Sequence, residues 1–250
     1  MVKEQAAYFI SDAHLGAFPK GSVLAREVHL IAFLKELEGK ATHLFIAGDL
    51  FEFWYEYDFY SPSRYFRLWR ALANLKDSGC EIKLLKGNHD FAYGNFFQRE
   101  LGIETCSHVV TELHGRRVYI CHGDGLAKRD IYYRVLRKIL DFKLNRFLFK
   151  WIHPDIGMRL ALYIGSNSRE LNKDRIVPEE KYLYKIRKIM RKNGCDTFVH
   201  GHNHSGGLWK VPEGVVVNCG QWFFEENYAS ISEKICYFYP SLLTEPSSAS

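Results

Sequence analysis

Five short polar runs in this 250-residue chain hold the side chains that could bind metal ions. In chain order the runs are Ser11-Asp12-Ala13-His14, Gly48-Asp49-Leu50-Phe51, Gly87-Asn88-His89-Asp90, Cys121-His122-Gly123-Asp124 and His200-Gly201-His202-Asn203-His204. Most of them follow an apolar stretch that is typical of a β-strand, so strand ends could bring them to one rim of a sheet. Two carboxylates, one amide and four imidazoles at such a rim would form a site for two metal ions.

The mixture of ligand types restricts the metal. Carboxylate, amide and imidazole together suit Mn, Fe, Zn or Ni, whereas an all-oxygen set would suit Mg or Ca. One carboxylate must bridge the two cations, and Asp49 is the natural choice because it can complete either shell. The alternative is that these residues cap helices and form turns, which would explain any single run better than the whole set.

The order and type of the five runs resemble the calcineurin-like metallophosphoesterases, whose signature is Asp-X-His, Gly-Asp, Gly-Asn-His, His and Gly-His-X-His. The resemblance covers about residues 6 to 239. Within that family, the chain is most similar to the UDP-2,3-diacylglucosamine pyrophosphatases of lipid A synthesis. The narrower resemblance depends on Gly48-Asp49-Leu50-Phe51-Glu52, His122-Gly123-Asp124-Gly125-Leu126 and Asn167-Ser168-Arg169-Glu170-Leu171-Asn172.

The resemblance implies two divalent metal ions, for which we expect manganese. The ligands that it implies for one metal are Asp12, His14, Asp49 and His204. Those for the other are Asp49, Asn88, His122 and His202. A water molecule activated by such a pair could attack phosphorus in line with the leaving group.

Three residues of the third run are the expected catalytic groups, Asn88, His89 and Asp90. The lipid A enzymes carry Arg at the position of His89, whereas the wider family has His, which stabilises the transition state or protonates the leaving group. Asp90 is expected to hold this imidazole and to favour its protonated form. His89 is therefore the main departure from the narrower resemblance.

The resemblance also implies residues that contact the substrate. These are Asn88, His89, Asp130, Tyr133, Ser168, Asn172, Arg175 and His202. Ser168, Asn172 and Arg175 lie close to one face if their segment is helical. A polar helix with a Ser-Asn cap would give the same spacing without any ligand.

Positive charge is concentrated in residues 126–192, which hold 18 Lys and Arg against 7 Asp and Glu, while the whole chain has a net charge of +5. Such a block attracts phosphate groups and anionic lipid surfaces. Lys143, Arg146 and Lys150 lie among apolar residues, as in a helix at a membrane interface, although ordinary packed helices share that pattern. We expect a nucleotide-linked lipid substrate and an anionic membrane surface as partners, no nucleic acid and no obligate protein partner.

The cysteines and the beginning of the chain indicate the compartment. The six cysteines are scattered and include no Cys-X-X-Cys pair, which favours reduced thiols in a cytosol. The first five residues, which include Lys3, Glu4 and Gln5, form a largely polar N-terminus, so we expect no signal peptide, and no apolar run is long enough to span a bilayer. The expected location is the cytoplasm, with peripheral attachment to the inner membrane.

The order of the strand and helix signals predicts the fold. The first half alternates strand and helix, and from Glu104 several strands follow one another as a second sheet. We predict an α/β protein, a four-layer αββα metallophosphoesterase sandwich with an inserted helical cap. Its core would comprise residues 1–125 and 193–240, its basic helical cap residues 126–192, and its disordered tail residues 241–250.

The functional hypothesis that results is hydrolysis of the pyrophosphate bond of UDP-2,3-diacylglucosamine to UMP and 2,3-diacylglucosamine 1-phosphate. The alternative is a metallophosphoesterase that acts on a soluble nucleotide or on another phosphorylated lipid, which His89 favours. A scaffold that keeps the fold without the chemistry would lack ligands, and here every ligand is present. A nuclease is disfavoured because the aromatic residues of the basic block have apolar neighbours, unlike an exposed stacking platform.

Overall fold

The computed structural model describes residues 5–17, 20–57, 62–90, 92–126, 151–153, 156–157, 159, 180–238 and 247–248. Its strands are β1 (Ala6–Ile10), β2 (Ala41–Ile46), β3 (Glu81–Leu85), β4 (Glu104–Cys106), β5 (His108–Leu113), β6 (Arg116–Cys121), β7 (Thr197–His200), β8 (Gly207–Val211), β9 (Gly214–Asn218), β10 (Tyr228–Ile231), β11 (Ile235–Phe238) and β12 (Ser247–Ser248). Its helices are α1 (Lys20–Leu37), α2 (Phe66–Asp77), α3 (Phe96–Leu101), α4 (Glu180–Asn193) and α5 (Trp222–Glu225), with a 3-10 turn at Ser63–Tyr65.

The strands form two sheets. One has the order β12-β11-β10-β1-β2-β3-β4, and its strands β1 to β4 are mutually parallel. The other has the order β5-β6-β7-β9-β8, in which β6, β7 and β9 are parallel. The turn between β5 and β6 contains only His114 and Gly115, both with positive φ, as a tight two-residue hairpin requires.

Successive side chains of a strand point to opposite faces of its sheet, and this alternation divides the core into layers. In the first sheet, Phe9 and Phe45 point inward and stack with ring centroids 5.2 Å apart, within the cluster that joins the two sheets. Their neighbours Ile10 and Leu44 point to the opposite face, where they pack with α1 and α2. Because parallel strands are covered on both faces, β1 consists of apolar and aromatic residues, and the end of β2, Leu44, Phe45 and Ile46, is also apolar and buried.

Helix α4 forms the outer layer on the second sheet. Tyr182, Ile186 and Met190 lie on one side of this helix and pack against Phe198 and Val216. The layers therefore run helix, sheet, sheet and helix, which confirms the predicted αββα arrangement.

The structure describes only parts of the predicted cap and of the predicted tail. Residues 180–192, assigned to the cap by their charge, form most of α4 and pack on the sandwich. Most of the insert lies outside the described residues, so its division from the core stays a prediction. In the tail, Ser247–Ser248 pairs with β11, and disorder stays a prediction for the rest.

Two further properties bear on the expected location. The five cysteines whose side chains are described, Cys80, Cys106, Cys121, Cys195 and Cys219, are all free thiols. Across the part of the chain that the structure covers, no helix has the length and apolar content that a bilayer span requires.

If α4 is a layer of the core, truncating its buried side should destabilise the whole sandwich. We expect Ile186→Ala to lower the free energy of unfolding by about 2 to 5 kcal/mol, the usual cost of removing a buried Ile or Leu side chain. Urea unfolding followed by fluorescence and circular dichroism would measure it. Lys188→Ala, at an exposed position of the same helix, is the matched control and should change stability by less than about 0.5 kcal/mol. Equal effects of the two substitutions would contradict this assignment.

Candidate metal centre

The candidate ligands lie at the carboxyl ends of parallel strands from both sheets. Asp12 and His14 follow β1, Asp49 follows β2 and Asn88 follows β3. From the second sheet, His122 follows β6, and the run that contains His202 and His204 follows β7. Parallel strands end at a common edge, so the topology collects residues that are up to 192 positions apart in the chain.

The backbone turns sharply where it presents these side chains. Five of the seven candidate ligands have positive φ angles, namely Asp12 at 54°, His14 at 44°, Asp49 at 54°, His202 at 71° and His204 at 56°. Left-handed backbone at non-glycine residues costs about 1 to 3 kcal/mol each and is typical of functional sites. The amides of Asp12 and His14 donate to the carbonyls of Gly48 and Asp49, at 3.2 and 2.9 Å, and thereby fix the two loops together.

One group of donors surrounds Asp12. Its Oδ1 lies 3.2 Å from His204 Nε2 and 3.8 Å from His14 Nε2. Its Oδ2 accepts hydrogen bonds from Ser11 Oγ and from the amide of His202, at 2.5 and 2.9 Å. Asp12 Oδ1 and His14 Nε2 are both buried and have no hydrogen-bond partner within the described residues. Buried polar atoms normally have partners, so this arrangement fits a cation at that point.

A second group of donors surrounds Asn88. Its Oδ1 lies 3.0 Å from His122 Nε2 and 2.8 Å from His202 Nδ1. His122 Nδ1 donates to the carbonyl of Ala47 at 2.8 Å, which leaves Nε2 directed at the site. Asp49 Oδ2 lies between the two groups, 3.3 Å from His122 Nε2 and 3.8 Å from His14 Nε2. The structure thus brings together all seven side chains predicted as ligands.

The charges of the centre are strongly coupled. Burial opposes ionisation of Asp49, yet the positive charges of His122 and His89 outweigh it, so the pKa of Asp49 lies well below its ordinary value. Burial also opposes protonation of His122, but the Asp49 carboxylate raises the pKa of His122 well above its ordinary value. The carboxylates therefore stay charged and attract positive charge, for which a proton and a metal ion compete.

Three glycines in the polar runs allow the close packing of the candidate ligands. A Cβ atom at Gly48 would overlap the His122 ring, one at Gly87 would overlap the Asp49 carboxylate, and one at Gly201 would overlap Ser11 and Asp12. These positions need glycine because a neighbouring side chain occupies the space where a Cβ atom would lie.

Glu52 is a functional candidate to which the sequence analysis gave no role. Its side chain is fully buried, with Oε2 3.1 Å from His14 Nδ1 and Oε1 3.7 Å from His89 Nδ1. A carboxylate beside the remote nitrogen of a ligating histidine fixes the orientation of the ring and makes it a better ligand. The sequence did contain a signal for this role, because Glu52 closes the string Gly48-Asp49-Leu50-Phe51-Glu52. The sequence analysis used that string only for the family resemblance.

His89 lies beside the ligands, but Asp90 does not hold its imidazole as expected. His89 Nδ1 lies 3.1 Å from the carbonyl of Glu52, and its ring meets the His14 ring edge-on at 4.8 Å. The buried Asp90 carboxylate instead accepts hydrogen bonds from the amides of Asp49, Gly87 and Phe51 and from the Tyr93 hydroxyl. Burial and the charge of Asp49 raise the pKa of Asp90 to about 6. Asp90 therefore holds the loop that carries Asp49 against the loop that carries Asn88.

Other polar residues lie away from the donors or outside the described residues. His200 turns to the opposite face of its strand, where its Nδ1 lies 2.9 Å from the carbonyl of Gly201 and 3.2 Å from the Tyr182 hydroxyl. Burial lowers the pKa of His200 to about 4, so it is neutral. Five of the predicted substrate contacts lie outside the described residues, namely Asp130, Tyr133, Ser168, Asn172 and Arg175.

A four-layer sandwich with carboxylate, amide and imidazole donors at the ends of its central strands is the architecture of the metal-dependent phosphoesterases. The chain belongs to the calcineurin-like phosphoesterase family, whose model matches residues 7–206.

Its relatives include a UDP-2,3-diacylglucosamine hydrolase from Porphyromonas gingivalis, 31% identical over 89% of this chain and 92% of the relative. A UDP-2,3-diacylglucosamine hydrolase from Pseudomonas putida strain KT2440 is 34% identical over 72% of this chain and 77% of the relative. The predicted family is confirmed by these matches.

The proximity of Glu52 to His14 and His89 gives a prediction. Glu52→Gln keeps the shape but removes the charge, so we expect manganese affinity or turnover to fall by about 10- to 100-fold. Isothermal titration calorimetry with manganese and steady-state kinetics would measure the two effects. Glu56→Gln is the matched control, because Glu56 accepts hydrogen bonds from the amides of Gly94, Asn95 and Phe96 and should affect only stability. Wild-type affinity and turnover in Glu52→Gln would exclude this role.

Proposed function

We propose that the protein hydrolyses the pyrophosphate bond of UDP-2,3-diacylglucosamine, giving UMP and 2,3-diacylglucosamine 1-phosphate. The observation that carries the proposal is the convergence of seven candidate metal donors in a chain that aligns over 89% of its length with a UDP-2,3-diacylglucosamine hydrolase. The substrate has a phosphoric anhydride, which is the kind of bond that a two-metal site is suited to hydrolyse.

The proposed centre holds two divalent cations, and we propose manganese for both. One cation would be held by Asp12, His14 and His204. The other would be held by Asn88, His122 and His202. Asp49 would contribute to both. Such cations lower the pKa of a bound water molecule and offset the charge of phosphate oxygens. Manganese is among the metals that suit a set of oxygen and imidazole nitrogen donors without a thiolate.

His89 is the proposed catalytic group of the chain itself. The carbonyl of Glu52 can only accept, so His89 Nδ1 carries the proton of that hydrogen bond. Nε2 is then left for the substrate, and the Glu52 carboxylate lies 3.7 Å from Nδ1, on the side away from it. A protonated His89 would donate to a phosphoryl oxygen or to the leaving group.

The acylated sugar would be bound mainly by the insert. Asp130, Tyr133, Ser168, Asn172 and Arg175 remain the proposed contacts to the glucosamine and its phosphate. One described contact supports an insert close to the centre. Tyr57, five residues after Glu52, donates its hydroxyl to the carbonyl of Ile152 in the insert at 3.3 Å. A second candidate function, hydrolysis of a soluble nucleotide or of another phosphorylated lipid, is favoured by His89 in place of Arg.

Kinetics on two substrates test the proposed function. We expect the manganese-loaded protein to hydrolyse UDP-2,3-diacylglucosamine with a kcat/KM at least about 100-fold above that for UDP-N-acetylglucosamine, which lacks the long acyl chains. Asp49→Ala and His122→Ala should reduce turnover below detection without unfolding the chain, because each removes a metal ligand. Chelation should abolish turnover and manganese should restore it.

His43→Ala is the control for these variants. His43 lies near the beginning of β2, at the opposite end of the strand from Asp49, and its partners are Thr42 and Glu81. It should retain wild-type turnover. Equal kcat/KM for the acylated and non-acylated substrates would favour the second candidate function. Full activity of Asp49→Ala would contradict the metal assignment.

We also propose that the protein acts in the cytoplasm, attached to the anionic inner surface of the membrane from which it takes its lipid substrate. Helix α4 carries six basic residues and one acidic residue, and its outward positions include Lys181, Lys185 and Lys188. In the insert, the side chains of Trp151 and Ile156 are 78% and 61% exposed. Basic and exposed apolar residues together favour an anionic lipid surface.

Sedimentation with lipid vesicles tests the attachment. We expect binding to vesicles that contain phosphatidylglycerol, weaker binding at high salt, and little binding to pure phosphatidylcholine. Lys181→Glu with Lys188→Glu should weaken binding by at least about 10-fold, because each lysine near such a surface contributes about 1 kcal/mol. The control is Lys35→Glu with Lys40→Glu, on the side of the first sheet. Equal binding by the two double variants would contradict a surface centred on α4.

A further inference from the structure

The short helix α5 is attached to the loop that carries Asp12 and His14. The amide of Trp222 donates to the carbonyl of Ser11, and the amide of Phe223 donates to the carbonyl of Asp12, each at 3.0 Å. The Phe223 side chain is buried at 5% exposure, and its ring stands perpendicular to the His14 ring with centroids 5.8 Å apart. Helix α5 therefore contacts this loop through both its backbone and an aromatic ring.

Arg26 of helix α1 holds the Phe223 ring in turn. Its guanidinium carbon lies 3.5 Å from the ring centroid, and Nη1 donates to the carbonyl of Phe223 at 3.4 Å. Arg26 is only 7% exposed. A cation over an aromatic face attracts the ring more strongly when water is excluded, so this contact restricts the movement of Phe223.

The His14 imidazole needs support from several sides. Its Nε2 is buried without a hydrogen-bond partner in the described chain and lies 3.8 Å from both Asp12 Oδ1 and Asp49 Oδ2. Glu52 approaches only the opposite nitrogen, Nδ1. Rotation of the ring is limited by its packing, and loss of the Phe223 ring would open space on one side of it.

We propose that Phe223 is a positioning residue of the metal centre and that Arg26 holds it in place. The Phe223 ring keeps the imidazole of His14 oriented so that Nε2 faces the metal shared with Asp12. The inference rests on the metal assignment of the proposed function and is independent of the substrate.

Manganese titration of the metal-free protein by calorimetry tests the inference. We expect Phe223→Leu to weaken one of two manganese sites by about 10-fold, the lower end of the effect of residues that support metal ligands. Arg26→Met should weaken the same site by a smaller factor, because the ring remains but is less restrained. The electron paramagnetic resonance signal of the manganese pair should change in Phe223→Leu, and kcat should fall with little change in KM.

Phe33→Leu is the matched control. Phe33 packs against Trp222 of the same helix, with ring centroids 5.0 Å apart, and its other described ring contacts are Tyr8 and Tyr228. This variant should lower the Tm of the metal-free protein but leave both manganese affinities within about twofold of wild type.

The outcomes separate this inference from the proposed function. Failure of the wild-type protein to bind two manganese ions would overturn the metal assignment itself. Two sites in the wild type with unchanged affinities in Phe223→Leu would overturn only the inference. If Phe223→Leu does not fold, Arg26→Met decides, and wild-type affinities in that variant would overturn the inference.

Discussion

The rest of the centre depends on the interactions of the Asp49 carboxylate. Oδ1 accepts the amide of His89 at 2.8 Å, while Oδ2 faces His122 and His14. Its own amide donates to Asp90, and its carbonyl accepts the amide of His14. One residue thus connects three loops and both groups of donors. A buried carboxylate without such partners would be very unfavourable, so the loops and the charge stabilise one another.

Much of the fold and the donor set could be predicted from the sequence because both follow from local patterns. β7 coincides with the β-favouring run Thr197–His200, and Gly102 ends α3 in the left-handed conformation typical of a C-terminal glycine. The donors were found because each follows a strand, and the ends of parallel strands meet. Family resemblance added the assignment of donors to two metals, which spacing alone leaves open.

The remaining features depend on contacts between residues that are distant in the chain. The β-favouring residues from Tyr228 to Phe238 do not reveal the turn at Ser232, which divides them into β10 and β11. The basic residues of α4 suggested a cap, and only the packing of its apolar side shows that it belongs to the sandwich. Arg26 and Phe223 are 197 residues apart, so no local pattern connects them. Asp90 was assigned to the neighbouring His89, but it accepts the amides of Asp49 and Phe51, which are 41 and 39 residues away in the loop after β2.

The origin of the donors in both sheets has a mechanical consequence. Asp12, Asp49 and Asn88 extend from the first sheet, whereas His122 and His202 extend from the second. Any cation held jointly by them fastens the two halves of the sandwich at the rim, much as a covalent cross-link would. Because such a cation binds the folded chain and not the unfolded one, its occupancy adds to the resistance of the sandwich to opening. The supply of metal in the cell would thereby regulate the lifetime of the folded protein together with its catalytic capacity.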